Sequence, residues 1–227
     1  MEHTISIKPD FAMLEVVLDP GESLVAESGA MVGMDPHVEM KGTARGGLLK
    51  GLRRKVLGGE SFFQTTFTGA VKPGRVFLAP GAPGDIEAKE LEAGDGLLIQ
   101  SSCFLACTSD VNLDTSWGGA RGFFSGTGLF LLKAKGPGIV WFTSFGGLNQ
   151  VPVMGDYIVD TGHIVAFDEG LDYGVEAVRG IKSLFLSGEG LVARFKGVGN
   201  VWMQTRSSGP FAAFLHPFRP VKKKSND

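Results

Sequence analysis

Apolar and polar residues alternate with period two along most of this chain, the signature of half-buried strands. Residues 13–19 (MLEVVLD) and 24–34 read as strands joined by the turn signal Asp19-Pro20-Gly21. In the second, Leu24, Ala26, Ala30, Val32 and Met34 share one parity and predict its inner face. The stretch 21–34 (GESLVAESGAMVGM) has two echoes, 94–107 (GDGLLIQSSCFLAC) and 162–175 (GHIVAFDEGLDYGV). The matching columns hold Leu97, Ile99, Cys103, Leu105 and Cys107 in the first echo. In the second they hold Val165, Phe167, Leu171, Tyr173 and Val175. Each copy places a polar group at its seventh position: Glu27, Gln100 and Asp168.

A second half-unit also recurs. Strand starts at Gly59, Gly126 and Gly188 lead through paired glycines to Val76-Phe77, Val140-Trp141 and Val201-Trp202. The pattern predicts an all-β chain of three fused, hairpin-rich repeats, β-sandwich or double-stranded β-helix in kind, at 1–80, 81–149 and 150–220. A polar tail follows at 221–227. One segment breaks the alternation. Residues 46–58 (GGLLKGLRRKVLG) put Leu48, Leu49, Leu52 and Val56 within about a 100° arc at helical spacing. Lys50, Arg53, Arg54 and Lys55 make that short amphipathic helix basic.

Composition supports strands and turns over disorder. The chain has 227 residues, enough for a sizeable core, and its 34 glycines come without low complexity. Its 22 basic and 24 acidic side chains nearly cancel, which argues against a surface dedicated to nucleic acid. The first residues, MEHTISIKPDFAM, show neither a secretory nor a transit pattern, and no apolar run reaches the ~18 residues of a spanning helix. The two cysteines, Cys103 and Cys107, read as small buried thiols of a reducing cytoplasm.

The basic glycine-bracketed helix, the GESFFQTTF phrase from Gly59, Gly69 and the Pro73-Gly74 turn carry a resemblance over the whole chain. The chain resembles bacterial members of the altered-inheritance-of-mitochondria (mitochondrial biogenesis) family. The resemblance implies fused β units similar to the subunit of the tryptophan RNA-binding attenuation protein, set around a pseudo-threefold axis. It brings no established catalytic residue.

The residues themselves point away from chemistry. His3, His37, His163 and His216 are scattered, without the close spacing that metal sites use, so no metal or cofactor is expected. Ser28, Ser61, Ser101 and Ser102 lie in no nucleophile elbow, and no glycine run has the phosphate-loop pattern. Pseudo-threefold packing would gather Glu27, Gln100 and Asp168 into a polar ring on the axis. Otherwise they are solvated outer-face residues. The 46–58 helix either packs on its own subunit or lies on an anionic membrane surface, peripheral to the cytoplasm. Single-stranded RNA would want exposed aromatics among basic residues. Arg194, Lys196, Trp202 and Arg206 offer this, but their counterparts Leu132, Lys135, Trp141 and Ser144 do not keep the charge. The expectation is a non-enzymatic, homo-oligomeric interaction module. A small-molecule-binding sensor or enzyme with a pocket between repeats is the alternative.

Overall fold

The alternation in residues 13–18 becomes a strand whose Leu14, Val16 and Leu18 are wholly buried while their neighbours are not. The same rule builds nearly everything else in this computed structural model, which describes residues 1–44, 63–114, 123–124, 129–177 and 191–219. In chain order the strands are β1 (Glu2–Ser6), β2 (Met13–Leu18), β3 (Ser23–Glu27), β4 (Met31–Met34), β5 (Val38–Ala44) and β6 (Phe63–Gly69). Next come β7 (Gly74–Leu78), β8 (Ile86–Leu91), β9 (Gly96–Gln100), β10 (Phe104–Thr108), β11 (Asn112–Asp114) and β12 (Phe123–Phe124). The last are β13 (Leu129–Lys135), β14 (Gly138–Thr143), β15 (Leu148–Asp160), β16 (Ile164–Asp168), β17 (Asp172–Ala177) and β18 (Leu191–Gln204). One α-helix, α1 (Ser208–Leu215), follows. The described fold is all-β apart from α1 and single-turn helices.

Three antiparallel sheets carry it. Their orders are β1-β2-β7-β4, then β5-β6-β3-β10-β14-β8, then β11-β13-β9-β16-β18-β15. The sheets cross the sequence boundaries near 80 and 149: β3 pairs with β10, with Ala26 opposite Ala106, and β9 pairs with β16, with Ile99 opposite Ala166. Among the described residues the sheets hold four, six and eight strands, and their order does not close into a ring.

The stretch 21–34 is not one strand. Gly29 takes a positive φ of 93°, and the chain turns there between β3 and β4. Comparable turns separate β9 from β10 at Ser101–Cys103 and β15 from β16 at Thr161–His163. The turn sequences Glu27-Ser28-Gly29, Gln100-Ser101-Ser102 and Asp160-Thr161-Gly162 correspond. The position matching Glu27 and Gln100 is therefore Asp160, whose carboxylate accepts from Gly162 N at 2.7 Å and caps its turn.

Three apolar cores lie between the sheets. One gathers Leu14, Leu24, Phe67, Val76 and Trp141, the next Leu97, Phe104, Val140, Phe142 and Trp202. The third holds Leu98, Phe167, Phe195 and Val201. The apolar-aromatic pairs of the sequence pattern supply Val76, Val140 and Val201, all fully buried.

Candidate functional site

Gln100 bonds the Cys103 thiol, Glu27 lies within electrostatic reach of it, and Asp168 belongs to a separate cluster. Cys103 donates to Gln100 Oε1 at 3.7 Å and to Gln204 Oε1 at 3.9 Å. Burial pushes this thiol up to about 12. The neighbouring Ser102 hydroxyl opposes that rise, and the Glu27 carboxylate adds to it. Such a thiol stays protonated and is a poor nucleophile. Gln204 ties the junction together: its Oε1 accepts from Phe145 N at 2.9 Å, its Nε2 donates to Gly162 O at 3.0 Å, and its carbonyl meets His163 Nδ1 at 2.7 Å. Sequence reasoning passed over Gln204, because a lone glutamine at a strand end carries no pattern.

Asp168 stands opposite Leu97 on β9, three residues before Gln100 and so about 10 Å away along the strand. Its Oδ2 accepts from Asn200 N at 2.8 Å and Asn200 Nδ2 at 2.9 Å, and its Oδ1 meets Lys89 Nζ at 3.2 Å. Lys89 also lies over the Trp202 ring, 4.8 Å from its centroid. The three polar positions are therefore not gathered together: Gln100 bonds Cys103, Glu27 acts on that thiol only through its charge, and Asp168 belongs to an ion-pair cluster.

That cluster lines an open cleft of ≈ 570 Å³ bounded by Lys89, Asp95, Lys135, Asp168, Glu169 and Gly170. Lys133 and Lys135 share one face of β13, with Lys135 opposite Gly96. Glu169 reaches both, bridging Lys133 and meeting Lys135 at 3.3 Å. Gly96 makes this approach possible, since a Cβ there would lie 1.8 Å from Glu169 Oε2. Each lysine of the cleft is met by a carboxylate, so it works as a structural clamp between β8, β13 and the turn after β16.

Burial raises the Glu169 pKa, but hydrogen bonds and charge from Lys133 and Lys135 outweigh it and hold the carboxyl below its usual range. A depressed carboxyl stabilises the fold above its unfolded pKa of about 4.3, and the contribution is lost as pH falls through the lower folded value. Wild-type protein should therefore exceed Glu169→Gln in urea midpoint near neutral pH, and the gap should close as pH falls below the usual carboxylate range. A gap that stays constant with pH would contradict the clamp.

Other expected positions fall differently. The 46–58 helix, with Leu48, Leu49, Lys50, Leu52, Arg53, Arg54, Lys55 and Val56, lies outside the described residues. The RNA reading loses its stacking platforms, because Trp141 and Trp202 are buried. Arg194 is held by Glu176 at 3.1 Å and Asp156 at 3.7 Å. Among the described residues, no group of three or more His, Cys, Asp or Glu side chains is arranged to hold a metal ion.

A run of exposed apolar side chains on and just after α1 was absent from the sequence expectations. α1 leaves β18 through Ser207, carries Pro210 in its first turn where a missing N–H is harmless, and ends with the His216 N–H on Ala212 O. None of its residues is buried. Phe214 and Phe218 are 65% and 74% exposed, and Phe211 and Leu215 are exposed beside them. One ring contact holds α1 to the body, Phe211 edge-on to Phe145 at 5.0 Å. The sequence continues from Arg219 as Pro-Val-Lys-Lys-Lys, and no acidic residue occurs between Ser207 and Asn226. Proline after a serine pair was the available start signal. With Phe, Ala and Leu consecutive in α1, no polar stripe marked a helical period.

Comparison with known proteins gives a consistent frame. The family model described as Mitochondrial biogenesis AIM24 matches residues 3–206. An uncharacterized protein of Streptococcus pyogenes serotype M6 is 29% identical over 230 residues, covering 97% of this chain and 92% of its own. A crystal structure of a Streptococcus pyogenes protein, solved by a structural genomics consortium, superposes with a TM-score of 0.79 at 28% identity. That match covers 96% of this chain and 99% of the other.

Proposed function

The chain belongs to the Mitochondrial biogenesis AIM24 family, and from that premise we propose that it is a non-catalytic interaction module that seats on an anionic membrane surface. The observation that carries this reading is the set of exposed apolar side chains Phe211, Phe214 and Leu215 of α1 and Phe218 just after it, followed in the sequence by Arg219, Lys222, Lys223 and Lys224. No helix among the described residues is long and apolar enough to cross a membrane. An interfacial helix needs an apolar face and cations near it, and one signal alone gives marginal binding. Burying one phenylalanine contributes about 1.5–3 kcal/mol, and each nearby lysine or arginine about 1 kcal/mol on an anionic leaflet. Together these suffice for reversible attachment of the folded body. The basic residues of 46–58 would add to the same attraction.

Co-sedimentation with phosphatidylserine vesicles tests the reading. Binding should fall with added salt, vanish on phosphatidylcholine vesicles, and drop by about tenfold or more in Phe214→Asp/Phe218→Asp. Both side chains are exposed, so the variant should keep the thermal midpoint of the parent. Absence of binding to the anionic vesicles, or binding indifferent to the double substitution, would reject it.

A further inference from the structure

Two sheet edges of this chain are complementary. β10 and β16 each follow a tight turn and pair on one side with β14 or β18, with register shifts at Phe104/Ala106 and Ile164/Ala166. On the other side each is received by the strand that precedes a comparable turn, Ala106 opposite Ala26 and Ala166 opposite Ile99. β4 also follows such a turn and pairs with β7 through a shift at Met31/Gly33. Among the described residues its other side has no strand. Residues 156–160 of β15 precede the turn Thr161–His163, as β3 and β9 precede theirs, and β15 ends its sheet. Among the described residues, one edge is an incoming strand without a receiver, and the other is a receiver without an incoming strand.

Exposure agrees with this. Phe104, Leu105, Ile164 and Val165 are fully buried in the two formed junctions, whereas Met31 and Val32 of β4 are 40% and 60% exposed. Leu98 of β9 is 1% exposed, and Ile158 of β15 is 48% exposed. Pro152 guards only the first half of β15, because proline blocks pairing locally. Tyr157, Ile158 and Val159 in the second half are suited to a ladder.

We propose that β4 of one copy of this chain pairs antiparallel with residues 156–160 of a second copy, Gly33 opposite Val159 and Met34 opposite Ile158. Each copy carries one edge of each kind. Two copies exchanging both edges therefore close on themselves and leave neither edge open, as point symmetry favours. The inference is independent of the membrane reading, and its test contains no lipid.

Light scattering on the purified chain should give twice the monomer mass. Val32→Lys, on an exposed position, should keep the fold and weaken dimerisation by about tenfold or more. Single variants Met34→Cys and Ile158→Cys should form a disulfide-linked pair under mild oxidation only when mixed, since Cys103 and Cys107 are buried. A monomer mass throughout the accessible concentration range would overturn the proposal. So would a double variant, Met34→Cys/Ile158→Cys, that closes the disulfide within one chain.

Discussion

Phe167→Ala is expected to cost about 3–5 kcal/mol, the range for emptying a buried aromatic site. Phe167 is fully buried, opposite Leu98 on one side and Val201 on the other, so it joins β9 to β18. Its ring meets Phe195 at 5.0 Å and Tyr173 at 4.9 Å, both edge-on, a geometry that adds to the area it buries. The next residues, Asp168 and Glu169, hold Lys89, Lys133 and Lys135. Slack in β16 would therefore loosen the charged clamp as well as the core. For a domain of this size the loss corresponds to a fall in thermal midpoint of roughly 10 °C. Scanning calorimetry checks it, with Phe167→Leu expected to retain most of the midpoint. Equal, small shifts for both variants would show that the aromatic cluster is peripheral to the cooperative unit.

Period two was enough to read β2 and β3 and their inner faces, because burial on one side of a pleated strand dictates it. Leu97, Ile99, Cys103, Leu105 and Cys107 are all buried, but so are Leu98, Gln100, Phe104 and Ala106 of the other parity, because β9 and β10 are covered on both faces. The same periodicity misled the third echo. Alternation is unchanged by a slip of an even number of residues, so 162–175 could match 94–107 apolar for apolar while sitting in the wrong register. The turn sequence fixes the frame instead: a polar residue, then Ser or Thr, then Gly or Ser. That frame selects Asp160 and releases Asp168 to its bonds with Asn200 and Lys89. The charged clamp was not legible for another reason. Lys89, Lys133 and Glu169 lie far apart in sequence and meet only through ladder register, and no local spacing encodes a cross-strand pair. Exposure of α1 and of the β4 edge is likewise a tertiary fact. Val32 has the parity of an inner-face residue, yet it is exposed on a strand that ends its sheet among the described residues.

Gly84→Ala should be nearly as damaging as the loss of Phe167, through backbone alone. A Cβ on Gly84 would sit 1.7 Å from Ser144 O and 2.7 Å from Ser144 C, a clash that no rotamer relieves. The seam it would force apart is dense with hydrogen bonds. Ser144 N donates to Asp85 O at 3.0 Å, Gly146 N to Pro83 O at 2.8 Å, and Ala12 N to Gly84 O at 3.0 Å. Ser144 Oγ accepts from Asp85 N at 3.1 Å and donates to Gly146 O at 2.6 Å. These bonds link the approach to β8, the exit from β14 and the residue before β2, so they join the first sheet to the second. Each is worth about 0.5–1.5 kcal/mol net, and more where a buried partner is left unsatisfied. Losing three of them gives about 3 kcal/mol. Gly81→Ala, three residues earlier and facing open space, is the control, expected within about 0.5 kcal/mol of the parent. Urea titrations of the two variants should therefore separate clearly. Hydrogen exchange should localise the Gly84 effect to Ala12, Ser144 and Gly146 before global unfolding. If the two alanines proved equally mild, the seam would be able to shift by more than an ångström at little cost. The first sheet would then be held by its apolar face alone, through Leu14, Val16, Leu18 and their contacts with Trp141.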